Sequence, residues 1–282
     1  MKTISLIDGI FTDKISVFDR GLNYGDGFFE TTRWIFLDES NSGKVEFWNR
    51  HLKRLEMGCR KVQIKFSLDL LNNYKSMILR RAFEKKMKSG ILKIIITRGV
   101  GSRGYKISKS MQPTIILLLF PEMQIDQSIY TEGVNLTICK KKLSSNNYLA
   151  GTKNLNRLDS VILASEFNDS FFEGIISDDK GMILEGTKTN IFLLKEGLIY
   201  TPKINNSGIK GIIREVVIEK NFDVVEKAIH LSDLPDFESV FITNSILKVV
   251  PVKQIDKKNY FINERIKELV FNQKKIELLE LN

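Results

Sequence analysis

Cysteine is nearly missing from these 282 residues: Cys59 and Cys139 are the only two, and they do not form a CxxC pair. That scarcity excludes a disulfide framework and a cysteine zinc site, and it makes a reducing cytoplasm the expected location. Long apolar runs are missing too. The richest, TIILLLF, is bounded by Pro113 and Pro121; it is too short to cross a bilayer as a helix and reads as a buried strand. The opening MKTISLIDGI reaches Asp8 without a sustained apolar signal region, so no membrane partner is expected. No zinc-finger spacing, RNP-type aromatic motif, long basic tail, solenoid period or low-complexity tract occurs. The 43 Lys plus Arg against 34 Asp plus Glu leave a formal charge of +9. The basic residues are dispersed apart from RRAFEKKMK and CKKK. The expectation is therefore an electropositive surface with a locally positive pocket, and no nucleic-acid partner.

What remains is an ordinary globular composition, 43% hydrophobic and 27% charged, in a chain long enough for one large domain or two moderate ones. SLIDGIFTD predicts strand, turn and strand around Asp8-Gly9, and GFFETTRWIFLD predicts a strand followed by a turn at Glu39–Gly43. WNRHLKRLEMGCRKV carries Leu52, Leu55 and Cys59 at helical spacing, and SLDLLNNYKSMILRRAFEKKMK predicts a helix capped by Ser67. ILKIIITRG and PTIILLLF are strands flanking the loop GVGSRGYK. After a polar stretch, PEMQIDQSIYTEG, a second unit begins: strand VNLTICK, helix RLDSVILASEF, strands FFEGIISDD and NIFLLKEG, a glycine-marked loop entering helix SGIKGIIREVVIEK, and strand and loop VFITNSILKVVPV. The reading is α+β, with a smaller N-terminal domain over 1–122, a linker over 123–132 and a larger domain over 133–282. A small-molecule site is expected in the cleft between the two domains.

Three places in the second unit could carry chemistry. In YLAGTKNLNRLD, Lys153 follows a Gly-Thr turn and is placed by spacing at or just before a helical start. It is either a solvated helix-start lysine or an amine activated to attack a carbonyl. Glu185 in MILEGTKTNIF is either an exposed turn acid or a carboxylate set against a protonated pyridine nitrogen. The glycines of SGIKGIIREVV could present the amides of Ile212 and Ile213 to a phosphate at a helix start. Each signal alone is weak.

Their order is not. DRGLNYGDGFFET, FWNRHLKRL, TRGVGSRGY, TKNLNRLD, LEGTKTNIF, GIKGIIRE and VFITNSILKVVPV occur in the sequence of the fold-type IV pyridoxal-phosphate enzymes, which the chain resembles over essentially its whole length. That class contains branched-chain aminotransferases, D-amino-acid aminotransferases and aminodeoxychorismate lyases. The resemblance implies pyridoxal 5'-phosphate as cofactor and a homodimer. It makes Lys153 the lysine that forms the Schiff base and Glu185 the carboxylate facing the pyridine nitrogen. Arg50 becomes the phosphate-binding arginine, Ile212 and Ile213 supply phosphate-facing amides, and Thr243 and Asn244 lie in another cofactor-side loop. Many relatives carry threonine at the Ile213 position, so its hydroxyl contact is missing here while both amides remain.

Within the class, the D-amino-acid enzymes usually have tyrosine at the Phe29 position and an Arg-x-His pair where this chain has Arg103-Gly104-Tyr105. Branched-chain enzymes usually carry a tyrosine-containing polar pocket and a different lysine region. GDGFFET, SRGYK, LAGTKNLNRLD and VVPV resemble the aminodeoxychorismate lyases instead. On that resemblance Phe29, Arg103 and Tyr105 line the substrate side, with 4-amino-4-deoxychorismate as substrate. The bland alternatives are a mobile loop arginine and a packing tyrosine.

Overall fold

The computed structural model describes all residues except 1, 2, 38–42, 102, 109, 221, 222 and 282; of 274–279 only the backbone is described. The chain divides into two units. One comprises Met1–Gln124, Thr152–Asn156 and Leu279–Asn282; the other comprises Ile125–Gly151 and Arg157–Leu278.

In the first unit, five antiparallel strands are ordered β1-β5-β4-β2-β3: β1 (Ile4–Ile7), β2 (Gly27–Ile35), β3 (Lys44–Val45), β4 (Ser89–Thr97) and β5 (Thr114–Pro121). The short helix α1 (Arg20–Tyr24) precedes β2, and the longer helices α2 (Trp48–Lys61) and α3 (Leu68–Glu84) pack on the sheet. Alternation along β2 sends Phe28, Glu30, Thr32 and Trp34 into the core beneath α2 and leaves Phe29, Thr31 and Arg33 on the other face. The apolar stripe of α2 faces inward with Leu52, Leu55 and Cys59 buried. Ser67 caps α3 by accepting from the Leu70 amide at 3.2 Å. The second strand expected after Asp8-Gly9 is reduced to a single bridge between Ile7 and Ile10, because the next residues leave the sheet. Most of the turn expected at Glu39–Gly43 lies outside the described residues.

The second unit is a nine-stranded mixed sheet. Its order is β11-β10-β9-β12-β13-β6-β7-β8, with β14 (Lys258–Asn259) pairing β13. The strands are β6 (Val134–Ile138), β7 (Glu173–Ser177), β8 (Ile183–Gly186), β9 (Asn190–Lys195), β10 (Leu198–Pro202), β11 (Val224–Lys227), β12 (Ser239–Asn244) and β13 (Lys248–Ile255). Helices α4 (Ser128–Thr131), α5 (Leu158–Ala164), α6 (Ile212–Lys220) and α7 (Glu264–Leu279) complete it. Its largest core cluster includes Leu136, Ile175, Leu193, Val240 and Val252, contributed by five strands. No helix among the described residues is long and apolar enough to cross a membrane.

Candidate cofactor and active site

Spacing placed Lys153 at or just before a helical start; it stands five residues ahead of the helix. The helix begins at Leu158, and Lys153 lies in a short extended segment that belongs to the first unit. That segment is pinned to the beginning of β2: the Phe29 amide donates to the Lys153 carbonyl at 2.9 Å, the Leu155 amide donates to the Gly27 carbonyl at 3.0 Å, and Asn154 bridges Phe28. Gly27 permits this approach, since a Cβ there would lie 2.9 Å from Leu155 Cδ1. The backbone of Lys153 is thus held by an isolated bridge, and its Nζ sits 4.6 Å from the centre of the Phe29 ring. A second amine shares that ring. Lys93, opposite Thr31 in the β2–β4 register, places Nζ 5.1 Å from the same centroid. Sequence reasoning missed Lys93, although strand alternation across ILKIIIT would have put it on the face opposite Leu92, Ile94 and Ile96.

Beneath Phe29, on the core side of β2, lies a buried charge cluster. The Glu30 carboxylate accepts from Arg54 Nε at 2.8 Å and Nη2 at 2.5 Å and lies 2.6 Å from His51 Nδ1; all three residues are buried. Burial would raise the Glu30 carboxyl, but Arg54 and His51 together hold it down to about 2. One turn before Arg54, the fork of Arg50 grips the Glu280 carboxylate through Nε at 2.7 Å and Nη2 at 3.0 Å. The Glu280 carbonyl in turn accepts from the Phe47 amide. The arginine expected to hold a phosphate is therefore engaged with a carboxylate near the C-terminus, while Arg54, which the motif reading did not single out, is the deeply buried one.

In the second unit, Glu185 is the penultimate residue of β8 and a buried carboxylate. Its Oε2 accepts from the Ile209 amide at 2.9 Å and faces Asn190 Nδ2 at 3.4 Å, which also donates to the Ile209 carbonyl at 2.9 Å. Gly208 approaches the carboxyl so closely that a Cβ would meet it at 3.4 Å. Glu185 is thus fixed in place, against the reading of an exposed turn acid. The turn that follows it is clamped by Glu173, a fully buried carboxylate that accepts from the amides of Thr187 and Lys188 and the hydroxyls of Thr187 and Thr189. Ile212 and Ile213 open α6, where the first amides of a helix have no intrahelical acceptor; their side chains are buried in the core. At the end of β12, Thr243 is 1% exposed and its Oγ1 has no hydrogen-bond partner among the described residues. Asn244 closes its own turn, its Oδ1 accepting from the amides of Ile246 and Leu247.

Arg103 and Tyr105 lie on the loop between β4 and β5. Both are exposed, Tyr105 at 84%.

The first unit thus holds an amine on a pinned backbone, and the second holds a fixed buried carboxylate, helix-start amides and a buried hydroxyl without a partner among the described residues. The model of the amino-transferase class IV family matches residues 27–255, and the chain belongs to that family, whose members depend on pyridoxal phosphate. A provisionally named branched-chain-amino-acid aminotransferase of Methanocaldococcus jannaschii is 32% identical over 89% of this chain and 87% of its own. The aminodeoxychorismate lyase of Vibrio harveyi is 29% identical over 88% of this chain and 90% of its own. Among solved structures, the 4-amino-4-deoxychorismate lyase of Pseudomonas aeruginosa superposes with a TM-score of 0.88 at 29% identity, covering 96% of this chain and 98% of that one.

Proposed function

We propose that the chain converts 4-amino-4-deoxychorismate to 4-aminobenzoate and pyruvate, a step of folate biosynthesis. The observation that carries this reading is the setting of the Lys153 amine: a Phe29 ring without a hydroxyl, flanked by the second amine of Lys93. An apolar ring face suits a flat carbocycle, and Lys93 together with Arg103 supplies positive charge for the two carboxylates that this substrate carries. The similarity to lyases from Vibrio harveyi and Pseudomonas aeruginosa supports it.

The residues present fit the cofactor. The buried Thr243 Oγ1, without a partner among the described residues, is a ready donor for a phosphate oxygen, and the amides of Ile212 and Ile213 offer two more. Asn244 holds the backbone turn that follows Thr243. Arg50 of α2, which the family resemblance assigns to the phosphate, would have to release Glu280 to serve it. Glu185 would accept a hydrogen bond from the pyridine N–H and keep that nitrogen protonated. When bound, pyridoxal phosphate supplies a ring that withdraws electrons from the substrate carbon bearing the amine. Lys153 would anchor the cofactor between turnovers, remove the proton from that carbon, and return a proton to the departing three-carbon fragment. Arg103 would clamp a carboxylate and Tyr105 orient a polar edge. Aromatisation of the substrate ring drives departure of the enolpyruvyl group.

We also propose a cytoplasmic homodimer. In the first unit Ile10, Ile15, Val17, Phe18 and Leu22 form an exposed apolar run that a second copy would cover; light scattering coupled to gel filtration reads the mass directly.

The function is tested by supplying freshly made aminodeoxychorismate to cofactor-loaded protein and analysing products by chromatography and mass spectrometry, with Lys153→Ala as control. Equal amounts of 4-aminobenzoate and pyruvate, formed without a keto acid and missing from the control, support the lyase. Transfer of an amino group to an α-keto acid without these products assigns the aminotransferase reaction instead.

A further inference from the structure

Arg20 is 3% exposed, yet its guanidinium reaches an exposed loop. Its Nη1 donates to the Gly104 carbonyl at 2.8 Å and its Nη2 to the Tyr105 carbonyl at 3.3 Å, while Nε donates to Asp26 Oδ2 at 2.9 Å. The same loop is held a second way. The Gly104 amide donates to the Tyr24 hydroxyl at 3.1 Å, and the Tyr24 and Tyr105 rings meet edge-on at 5.5 Å. Arg20 also lies 4.6 Å over the Tyr24 ring, so one guanidinium joins both holds.

The base beneath Arg20 is rigid. Its amide donates to the Gly99 carbonyl at 2.9 Å. The neighbouring Asp19 carboxylate, fully buried, accepts from Thr97 Oγ1, Thr114 Oγ1 and the Gly21 amide at 2.9, 2.8 and 2.7 Å. Asp26 is shared with Arg98, which donates to it through Nε at 2.7 Å and Nη2 at 2.9 Å. Burial would raise the Asp26 carboxyl, but Arg98 and Arg20 together hold it below the usual carboxylate range. Every donor of the Arg20 fork is thus aimed from a fixed frame, and two of its three hydrogen bonds go to the backbone flanking the side chains with substrate-side roles. Gly104, at φ +86°, gives the loop the bend that turns both carbonyls towards one guanidinium.

We propose that Arg20 is a positioning residue: by binding the carbonyls of Gly104 and Tyr105 it presents Arg103 and Tyr105 in one orientation to a carboxylate-bearing substrate. A loop ordered in advance loses less entropy when the substrate arrives, so the contribution falls on binding rather than on proton transfer. The inference rests on the substrate reading above for its kinetic consequence, but not for its structural one.

Two measurements on the cofactor-loaded protein separate these. Hydrogen exchange of the amides over 103–107 is followed in the wild type, Arg20→Gln, Arg20→Lys and Tyr24→Phe, alongside KM and kcat for aminodeoxychorismate. Asp26 retains Arg98 in every variant, so no carboxylate is orphaned. Arg20→Gln is expected to exchange about tenfold faster over the loop and to raise KM about tenfold with kcat nearly unchanged. Tyr24→Phe shows a smaller change of the same kind. Arg20→Lys keeps the charge beside Asp26 but lacks the planar fork, so it does not restore either value; restoration by lysine would reduce Arg20 to a structural counter-ion and overturn the proposal. Unchanged exchange in Arg20→Gln, or a loosened loop with unchanged KM, overturns it as well. If the loop loosens as expected while the wild type makes no 4-aminobenzoate, the lyase reading fails and the hold of Arg20 on the loop stands.

Discussion

Replacing Glu30 with glutamine removes the charge on which Arg54 and His51 converge and leaves Arg54 buried without its carboxylate. Breaking a buried pair in this way costs about 3–5 kcal/mol. The protonation balance gives a similar figure: with the carboxyl lowered from 4.5 to about 2, the preference for the ionised form corresponds to about 3 kcal/mol. For a protein of this size each kcal/mol moves Tm by about 2–4 °C, so Glu30→Gln is expected to lower Tm by about 6–20 °C at pH 7. The sign with pH follows from the direction of the shift. A carboxyl lowered in the folded state contributes fully above its unfolded pKa, and the contribution is lost as pH falls from about 4.5 through about 2. The gap between wild type and variant should therefore narrow across that window, read from urea denaturation at a series of pH values. A Tm change below about 2 °C, or a gap that stays constant from pH 5 to pH 2, would refute the claim that the cluster binds α2 to β2 through ionised Glu30.

Further outcomes follow from the cofactor side. Borohydride reduction in the presence of pyridoxal phosphate should add the mass of the reduced cofactor to the wild type at Lys153 and nothing at that position in Lys153→Ala, which peptide mass spectrometry checks. Thr243→Val removes a buried hydroxyl that has no partner among the described residues. Folding stability of the cofactor-free variant should hold or rise, while affinity for pyridoxal phosphate, measured by fluorescence titration, falls about 3–10-fold; an unchanged affinity would remove Thr243 from the site. Gly208→Ala places a Cβ at φ +89° and 3.4 Å from the Glu185 carboxyl, at a cost of about 1–2 kcal/mol, visible as a Tm lowered by several degrees.

The strands and long helices were legible because their periodicities are strong: β2, β4 and β5 alternate or run apolar between turn signals, and α2 and α3 repeat apolar residues at three and four. Lys153 was singled out by its motif and placed at or just before a helical start, whereas the helix begins five residues later, at Leu158. Apolar spacing in RLDSVILASEF reports the helix that follows, whereas the segment around Lys153 is held by pairing with β2, more than a hundred residues earlier in the chain. Nothing local encodes such a bond. The same reason hid Lys93, Arg54 and Glu280: an exposed-looking lysine in a strand, one basic residue among several on a helix and an acid near the chain end acquire their meaning only from register and packing. Motif order singled out Thr243 and Glu185 as candidates, and their burial, which separates them from exposed turn residues, came from the sheet.

Lyase and aminotransferase chemistry begin with the same loss of a proton to a lysine, so in the roles proposed above Lys153, Glu185 and the phosphate-side groups cannot choose between them. The choice must lie in what surrounds the amine on the substrate side. There the chain offers an unhydroxylated ring, a second amine on the same sheet face, and a loop whose backbone is held from below by Arg20. Under the proposed reading, two carboxylates would meet cations from separate elements, Lys93 on a strand and Arg103 on a loop, and such a site would be selective for the spacing between them. A small monocarboxylic amino acid would satisfy one cation and leave the other unpaired. Loosening the loop should therefore cost the dicarboxylic substrate more than a monocarboxylic one. Comparing KM for both in Arg20→Gln gives that difference directly; equal losses for the two would mean that the loop takes no part in the selection.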